Sequence, residues 1–207
     1  MDRTAEGQGF IAVYPAGSGP NADRLLTWNA GTCCAYAMEN NIDDVGFVSQ
    51  LIDFMIAEYH VDRRRVYATG HSNGPRCATA WPANWPKSWP LWLPMERKTW
   101  PCTSIEDSVR DWAERYGCAM TTKVIYNKGP VTCRTYLECP EGVEVTLCPI
   151  QGSGHTWPGG DYAIEVCHTQ PNGLLCKKWK DIVGPIIREI SASELIWKFF
   201  KKYRLPD

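Results

Sequence analysis

Between residues 75 and 102 the chain returns to proline every four residues, at Pro82, Pro86, Pro90 and Pro94, with Trp81, Trp85, Trp89, Trp92 and Trp100 set among them. Proline fixes φ, has no N–H to donate and clashes with the preceding turn, so this spacing forbids a helix and excludes a central strand. The Trp-Pro unit is too short and too irregular for a solenoid repeat. Regular structure must therefore be assembled from the residues on either side.

Those flanks carry ordinary patterns. Residues 10–14 (Phe-Ile-Ala-Val-Tyr) form an apolar run ended by Pro15 and Gly17, predicted as a buried strand of a parallel sheet. Residues 17–32 read as a loop. Asp43 and Asp44 open a helix in which Val45, Val48, Leu51, Ile52, Met55, Ile56 and Tyr59 keep helical spacing. Residues 65–69 are a second short strand, which completes the strand–helix–strand order of a βαβ unit. Past the Trp-Pro stretch, Ser104 caps a helix whose stripe is Val109, Trp112, Ala113 and Tyr116, closed by Gly117. Residues 123–126, 131–136 and 143–150 read as strands. Ser191-Ala-Ser-Glu194 is a capping box for a last helix that buries Leu195, Ile196, Phe199 and Phe200. For 207 residues, 44% hydrophobic and 22% charged, these patterns predict one α/β domain over 1–207, its sheet mostly parallel and flanked by helices. Residues 75–103 stand out as an aberrant Trp/Pro-rich segment within it.

The formal net charge is −1, from 22 basic and 23 acidic residues spread along the chain. No basic patch supports nucleic-acid binding. No apolar run reaches the roughly 20 residues of a membrane-spanning helix, so a membrane role is not expected. Ten cysteines are many for this length, and seven of them lie from Cys102 onward. None stands in a C-x-x-C pair, so zinc gains no support, whereas disulfides formed in an oxidising compartment account for the number. Cys133–Cys139 across a short hairpin and Cys118–Cys148 are the expected bridges; adjacent Cys33 and Cys34 would pair with each other only under strain. Residues 1–8 have neither the basic nor the apolar region of a secretory leader, so the front of an exported protein is expected to be missing here.

Gly70-His71-Ser72-Asn73-Gly74 follows the strand ending at Thr69 and fits G-x-S-x-G. A serine hydroxyl is a weak nucleophile unless a base holds it at the tip of a tight strand-to-helix turn, and small residues two before and two after let the backbone make that turn. An incidental glycine-rich turn is the plainer alternative. The base to match is His155, in Gly152-Ser-Gly-His-Thr-Trp-Pro-Gly-Gly160, just past a strand end, where open α/β sheets place their sites. A glycine-flanked loop can also be only a turn. His60 and His168 sit in polar surroundings, and His71 adjoins the serine too closely to be its base.

Trp28-Asn-Ala-Gly-Thr-Cys-Cys34, Glu39-Asn-Asn-Ile-Asp-Asp-Val-Gly-Phe47, Arg64-Arg-Val-Tyr-Ala-Thr-Gly70 and the His155 loop together resemble the polyhydroxybutyrate depolymerase / feruloyl esterase family of α/β-hydrolases, over residues 7–74 and 104–207. The resemblance implies Ser72 as nucleophile, His155 as base and the Asn73 backbone N–H as an oxyanion donor. It implies secretion and ester substrates, small or polymeric: feruloyl, short acyl or hydroxyalkanoate esters, with no cofactor or metal. Trp28, His71 and Trp157 would line the pocket; ordinary packing is the alternative for the two tryptophans.

Two pieces of the family pattern are absent. The His-Gly-Gly loop that supplies a second oxyanion N–H does not precede Phe10, and no His-Gly-x-x-Asp loop for the triad acid lies between Gly74 and His155. Shifted by one base, permitted codons for residues 76–94 encode an alanine- and leucine-rich amphipathic helix of the kind expected after the serine. Residues 75 to about 100 are therefore read as frameshifted, with the acid loop lost before the frame returns near Ser104; a Trp-rich polymer-binding insert is the alternative. Glu96, Glu106, Asp107 and Asp111 are the remaining acids nearby, the last three with capping and solvation as their expected roles. Two outcomes follow: an active serine ester hydrolase, or an impaired remnant with a polymer-binding role.

Overall fold

The computed structural model describes residues 1–21, 25–30, 35–72, 91–92, 104–162 and 164–205, with the backbone alone for 91–92. The frameshift reading, Asn73, Glu96, the Cys33–Cys34 pair and, apart from 91–92, the whole of 75–103 lie outside these residues. The chain forms two compact units, Met1–Pro94 with Ile196–Asp207, and Met95–Leu195. Together the described residues are a mixed α/β structure of helices and short sheets.

In the first unit, α1 (Asp2–Gln8) ends at Gly9 with φ 70. Residues 10–17 then run without joining a ladder, and Ile11, Val13 and Tyr14 are 53%, 45% and 64% exposed. The buried parallel strand expected at 10–14 is thus not formed. An apolar run becomes a strand only where another strand satisfies its N–H and C=O groups, and no described strand pairs with it. Phe10 instead stacks on Trp197 with ring centroids 4.2 Å apart. The Tyr14 hydroxyl donates to Asp2 Oδ1 at 2.7 Å; reduced solvation, then this bond and the Asp2 charge, push its pKa up to about 12.

After α2 (Ala35–Glu39) comes α3 (Asp44–Tyr59), as the spacing predicts. The Asp43 side chain accepts the Gly46 N–H at 2.9 Å and so caps the helix. The helix stops at His60, whose φ of 54 turns the chain left-handed. A 3-10 turn, Arg63–Arg65, leads into β1 (Ala68–Thr69), which pairs in parallel with β2 (Leu91–Trp92). Of the strand predicted at 65–69, only these last two residues join a ladder. Leu91 and Trp92 fit the proline spacing because Pro90 precedes the pair rather than entering it.

In the second unit, Ser104 caps α4 (Ile105–Arg115), Val109 and Ala113 are buried, and Gly117 with φ 75 closes the helix. β3 (Ala119–Lys128), β4 (Val131–Leu137) and β5 (Thr146–Leu147) make an antiparallel sheet in that order. Val131, Cys133 and Ile190 form its core, with Tyr126, Cys148, Ile150, Ile187 and Leu195 packed around them. α5 (Glu165–Thr169) and α6 (Leu174–Val183) follow. α7 (Ala192–Phe200) begins at the predicted box, where the Glu194 N–H donates to Ser191 Oγ at 3.3 Å, and it buries Ile196 and Phe200. Among the described residues no helix is long and apolar enough to cross a membrane.

Among the described residues the bridges are Cys118–Cys139, Cys133–Cys148 and Cys167–Cys176, which corrects both expected pairs. Cys133 lies in extended β4, and the four residues from it to Leu137 alone span about 13 Å at roughly 3.3 Å each, beyond the reach of a disulfide. The pairing of Arg134 with Leu147 places Cys133 opposite Cys148, and that of Ala119 with Leu137 leaves Cys118 and Cys139 together at the open end of the hairpin.

Candidate functional site

Trp28, His71 and Ser72 belong to the first unit, and His155 and Trp157 to the second. Their surroundings are built within each unit separately.

The serine lies three residues past Thr69, the end of β1. It is exposed, and its φ is 58. A side chain in this left-handed region costs on the order of 1–2 kcal/mol, which is why glycine usually occupies it. Such a residue at the tip of a strand-to-turn corner is what a projected nucleophile requires. His71 beside it is half-buried. The approach to this turn is held by the C-terminal residues of the same unit. The Leu205 N–H donates to Arg64 O at 2.9 Å, and the Tyr67 hydroxyl donates to Tyr203 O at 2.7 Å. The Tyr67 ring stacks on Phe200 at 4.8 Å, and its burial there raises the phenol pKa. Asp62 accepts the Arg64 N–H at 3.0 Å and pairs with Arg204 at 2.7 Å. The bond from Arg64, with the Arg64 and Arg204 charges, holds the Asp62 carboxyl below its usual range.

The histidine's loop is held by backbone. The His155 N–H donates to Val183 O. The Gly154 N–H and the Thr156 hydroxyl both donate to Pro185 O, at 2.9 and 3.1 Å. The Gly159 N–H donates to Ile187 O at 2.8 Å, and Pro158 O accepts the Ala192 N–H at 3.0 Å. Residues 183–187 pass so close that a Cβ on Gly154 would lie 2.1 Å from Val183 O and 2.5 Å from Gly184 Cα. Gly159, with φ 76, likewise faces Ile190 O at 2.5 Å. The two glycines flanking the histidine thus admit the backbone that anchors its loop. Thr156 is buried, and His155 beside it is half-buried. The Trp157 indole N–H donates to Ser193 Oγ at 3.1 Å, at the head of α7.

Trp28 stacks on Phe47 of α3 with centroids 6.3 Å apart. Of the acids considered for a third catalytic role, Asp107 accepts from Ser104 Oγ and pairs with Arg110, both at 2.7 Å. Glu106 and Asp111 are exposed on the same helix. Sequence reasoning passed over the strap 183–187 and Ser193, whose only advance sign is the Gly184-Pro185 pair. It also took Asp44 as a helix opener alone.

Comparison with known proteins finds distant esterase relatives. The chain is 25% identical over 189 residues to feruloyl esterase B of Piromyces equi, covering 70% of this chain and 33% of that protein. It is 36% identical over 70 residues to a bifunctional acetylxylan esterase/xylanase of Neocallimastix patriciarum, covering 34% of this chain and 8% of that protein. The chain therefore spans a third or less of the length of these relatives. No protein-family model and no solved structure matches it. Feruloyl esterase is one of the two activities that name the family reached from the motifs.

Proposed function

We propose that this chain is the α/β-hydrolase domain of an exported serine carboxylic ester hydrolase, acting on feruloyl, short acyl or hydroxyalkanoate esters. His155 takes the proton of Ser72 as Oγ bonds to the ester carbonyl carbon, and the Asn73 N–H is assigned, by resemblance, as a donor to the oxyanion. The alcohol leaves with that proton, and water, deprotonated by His155, then releases the acid from the acyl-enzyme. Trp28, His71 and Trp157 line the pocket. The observation that carries this reading is Ser72, exposed and left-handed three residues past β1. The esterase relatives support the reaction class, and the disulfides among the described residues support an oxidising destination.

The test is hydrolysis of p-nitrophenyl butyrate and methyl ferulate by the chain and by Ser72→Ala. Turnover that vanishes in the variant supports the proposal; equal background rates refute it. One observation favours the second reading, an impaired remnant that binds polymer. Asp107, one of the acids considered for the third catalytic role, is already engaged by Ser104 and Arg110. Binding of insoluble xylan or polyester with no Ser72-dependent turnover would select that reading.

A further inference from the structure

The head of α3 holds a carboxylate that the proposed chemistry does not use. Asp44 is the first residue of the helix and only 3% exposed. A buried carboxylate is tolerated where donors meet it and where the positive end of a helix dipole favours it. Here Oδ2 accepts the backbone N–H of Asn29 at 2.6 Å. The Asn29 side chain donates in turn to Ile42 O at 3.0 Å, just ahead of the cap. Asn29 is thereby fastened to the start of α3 by two bonds.

Trp28 is fixed from its other side as well. Thr27 exchanges backbone bonds of 2.8 and 2.9 Å with Ser18, and Thr27 Oγ1 accepts the Ala37 N–H at 3.2 Å. Trp28 is thus one residue between two anchored neighbours. Its ring lies 24° from parallel to Phe47, three residues beyond Asp44 and on the same side of the helix. Phe47 is 44% exposed and Trp28 half-buried, so the pair keeps aromatic surface in contact with solvent.

We infer that Asp44 is a positioning residue: through Asn29 it sets Trp28 on Phe47 as a platform for a planar aromatic acyl group. The choice of ligand rests on the ester-hydrolase reading; the clamp does not. Without the carboxylate the Asn29 N–H loses its acceptor, Trp28 samples other rotamers, and aromatic ligands bind less well. The bond-making steps at Ser72 are untouched.

The experiment uses the full chain labelled with 5-fluorotryptophan, the Trp28 fluorine signal being assigned by its loss in Trp28→Phe. Asp44→Ala is expected to shift and broaden that signal, and Asp44→Asn, which keeps an acceptor oxygen, to restore it. Ferulate added to the wild type should move the Trp28 signal, with affinity about five- to tenfold weaker in Asp44→Ala, in line with the usual strength of an aromatic pair. In turnover, KM for methyl ferulate should rise by the same factor while its kcat and the KM for methyl butyrate stay within about twofold. Should Asp44→Ala fail to fold, Phe47→Ala leaves the clamp intact and must raise KM for methyl ferulate alone. An unchanged Trp28 signal in folded Asp44→Ala, or equal KM rises for both esters, overturns the inference. If no ester shows Ser72-dependent turnover, the proposed function fails, and the fluorine signal with ferulate decides the platform by itself.

Discussion

The turn that carries Ser72 and the loop that carries His155 are both flanked by glycine, yet they are held by different forces. The histidine's loop is fastened through backbone groups, with Gly154 and Gly159 leaving room for the strap that binds it. The approach to the serine adds side chains to the backbone bond from Leu205 to Arg64: a phenol hydroxyl, an aromatic stack and ion pairs around Asp62. Backbone bonds of this kind do not titrate and are little affected by salt. Exposed ion pairs do and are. One half of the proposed site should therefore tolerate changes of solution and resist changes of sequence, and the other half the reverse.

The largest effect should come from the serine itself. Ser72→Ala should lower hydrolysis of p-nitrophenyl butyrate by about 10⁴-fold or to background, read in initial rates. Next, removing the Cys133–Cys148 bridge by paired serine substitutions frees a loop of 15 residues. That should cost about 3 kcal/mol in urea unfolding. Gly154→Ala should cost about 1–3 kcal/mol through overpacking against Val183 and Gly184. Gly152→Ala, left-handed at φ 71 but with nothing within 4 Å of its Cβ, should cost only about 1 kcal/mol. Equal effects at the two glycines would show that the strap does not hold the loop.

The smallest effect separates the two halves by pH. The folded Asp62 carboxyl lies below its usual range, so its contribution is present above about pH 4. It is lost as the pH falls further, toward the folded value. Amide exchange at Leu205, bonded to Arg64 O, should quicken between pH 6 and pH 3 after correction for intrinsic rates. Exchange at the His155 amide should hold steady over the same range.

Local signals were legible and distant ones were not. α3, α4 and α7 were readable because caps and apolar spacing lie within the helix itself. The strands at 123–126 and 131–136 were readable too, but their antiparallel pairing was not, since the sheet was expected to be mostly parallel. Residues 10–14 carry as apolar a run but have no strand partner among the described residues, and they do not form a strand. The disulfide partners follow from strand register, which cysteine spacing does not encode. α6 was not read as a helix because Leu174, Leu175 and Ile182, 69%, 67% and 77% exposed, lie off the face that Cys176 and Val183 bury and blur its apolar spacing. In the candidate site, G-x-S-x-G marked a tight turn at Ser72, while its φ of 58 is a backbone detail that the motif does not spell out. The strap behind His155 and the clamp on Asn29 depend on contacts between segments, and no motif announces them.

The crossing of Gly154 and Gly184 also bears on how this lineage can diverge. A Cβ on Gly184 would lie 2.8 Å from Gly154 Cα, and one on Gly154 would strike the backbone at 183–184. Neither position can gain a side chain while the other backbone stays where it is, so drift at one is blocked by the other. Two glycines thirty positions apart, the first just before the histidine, make a pattern that a text search can follow into sequences too distant for overall identity to register.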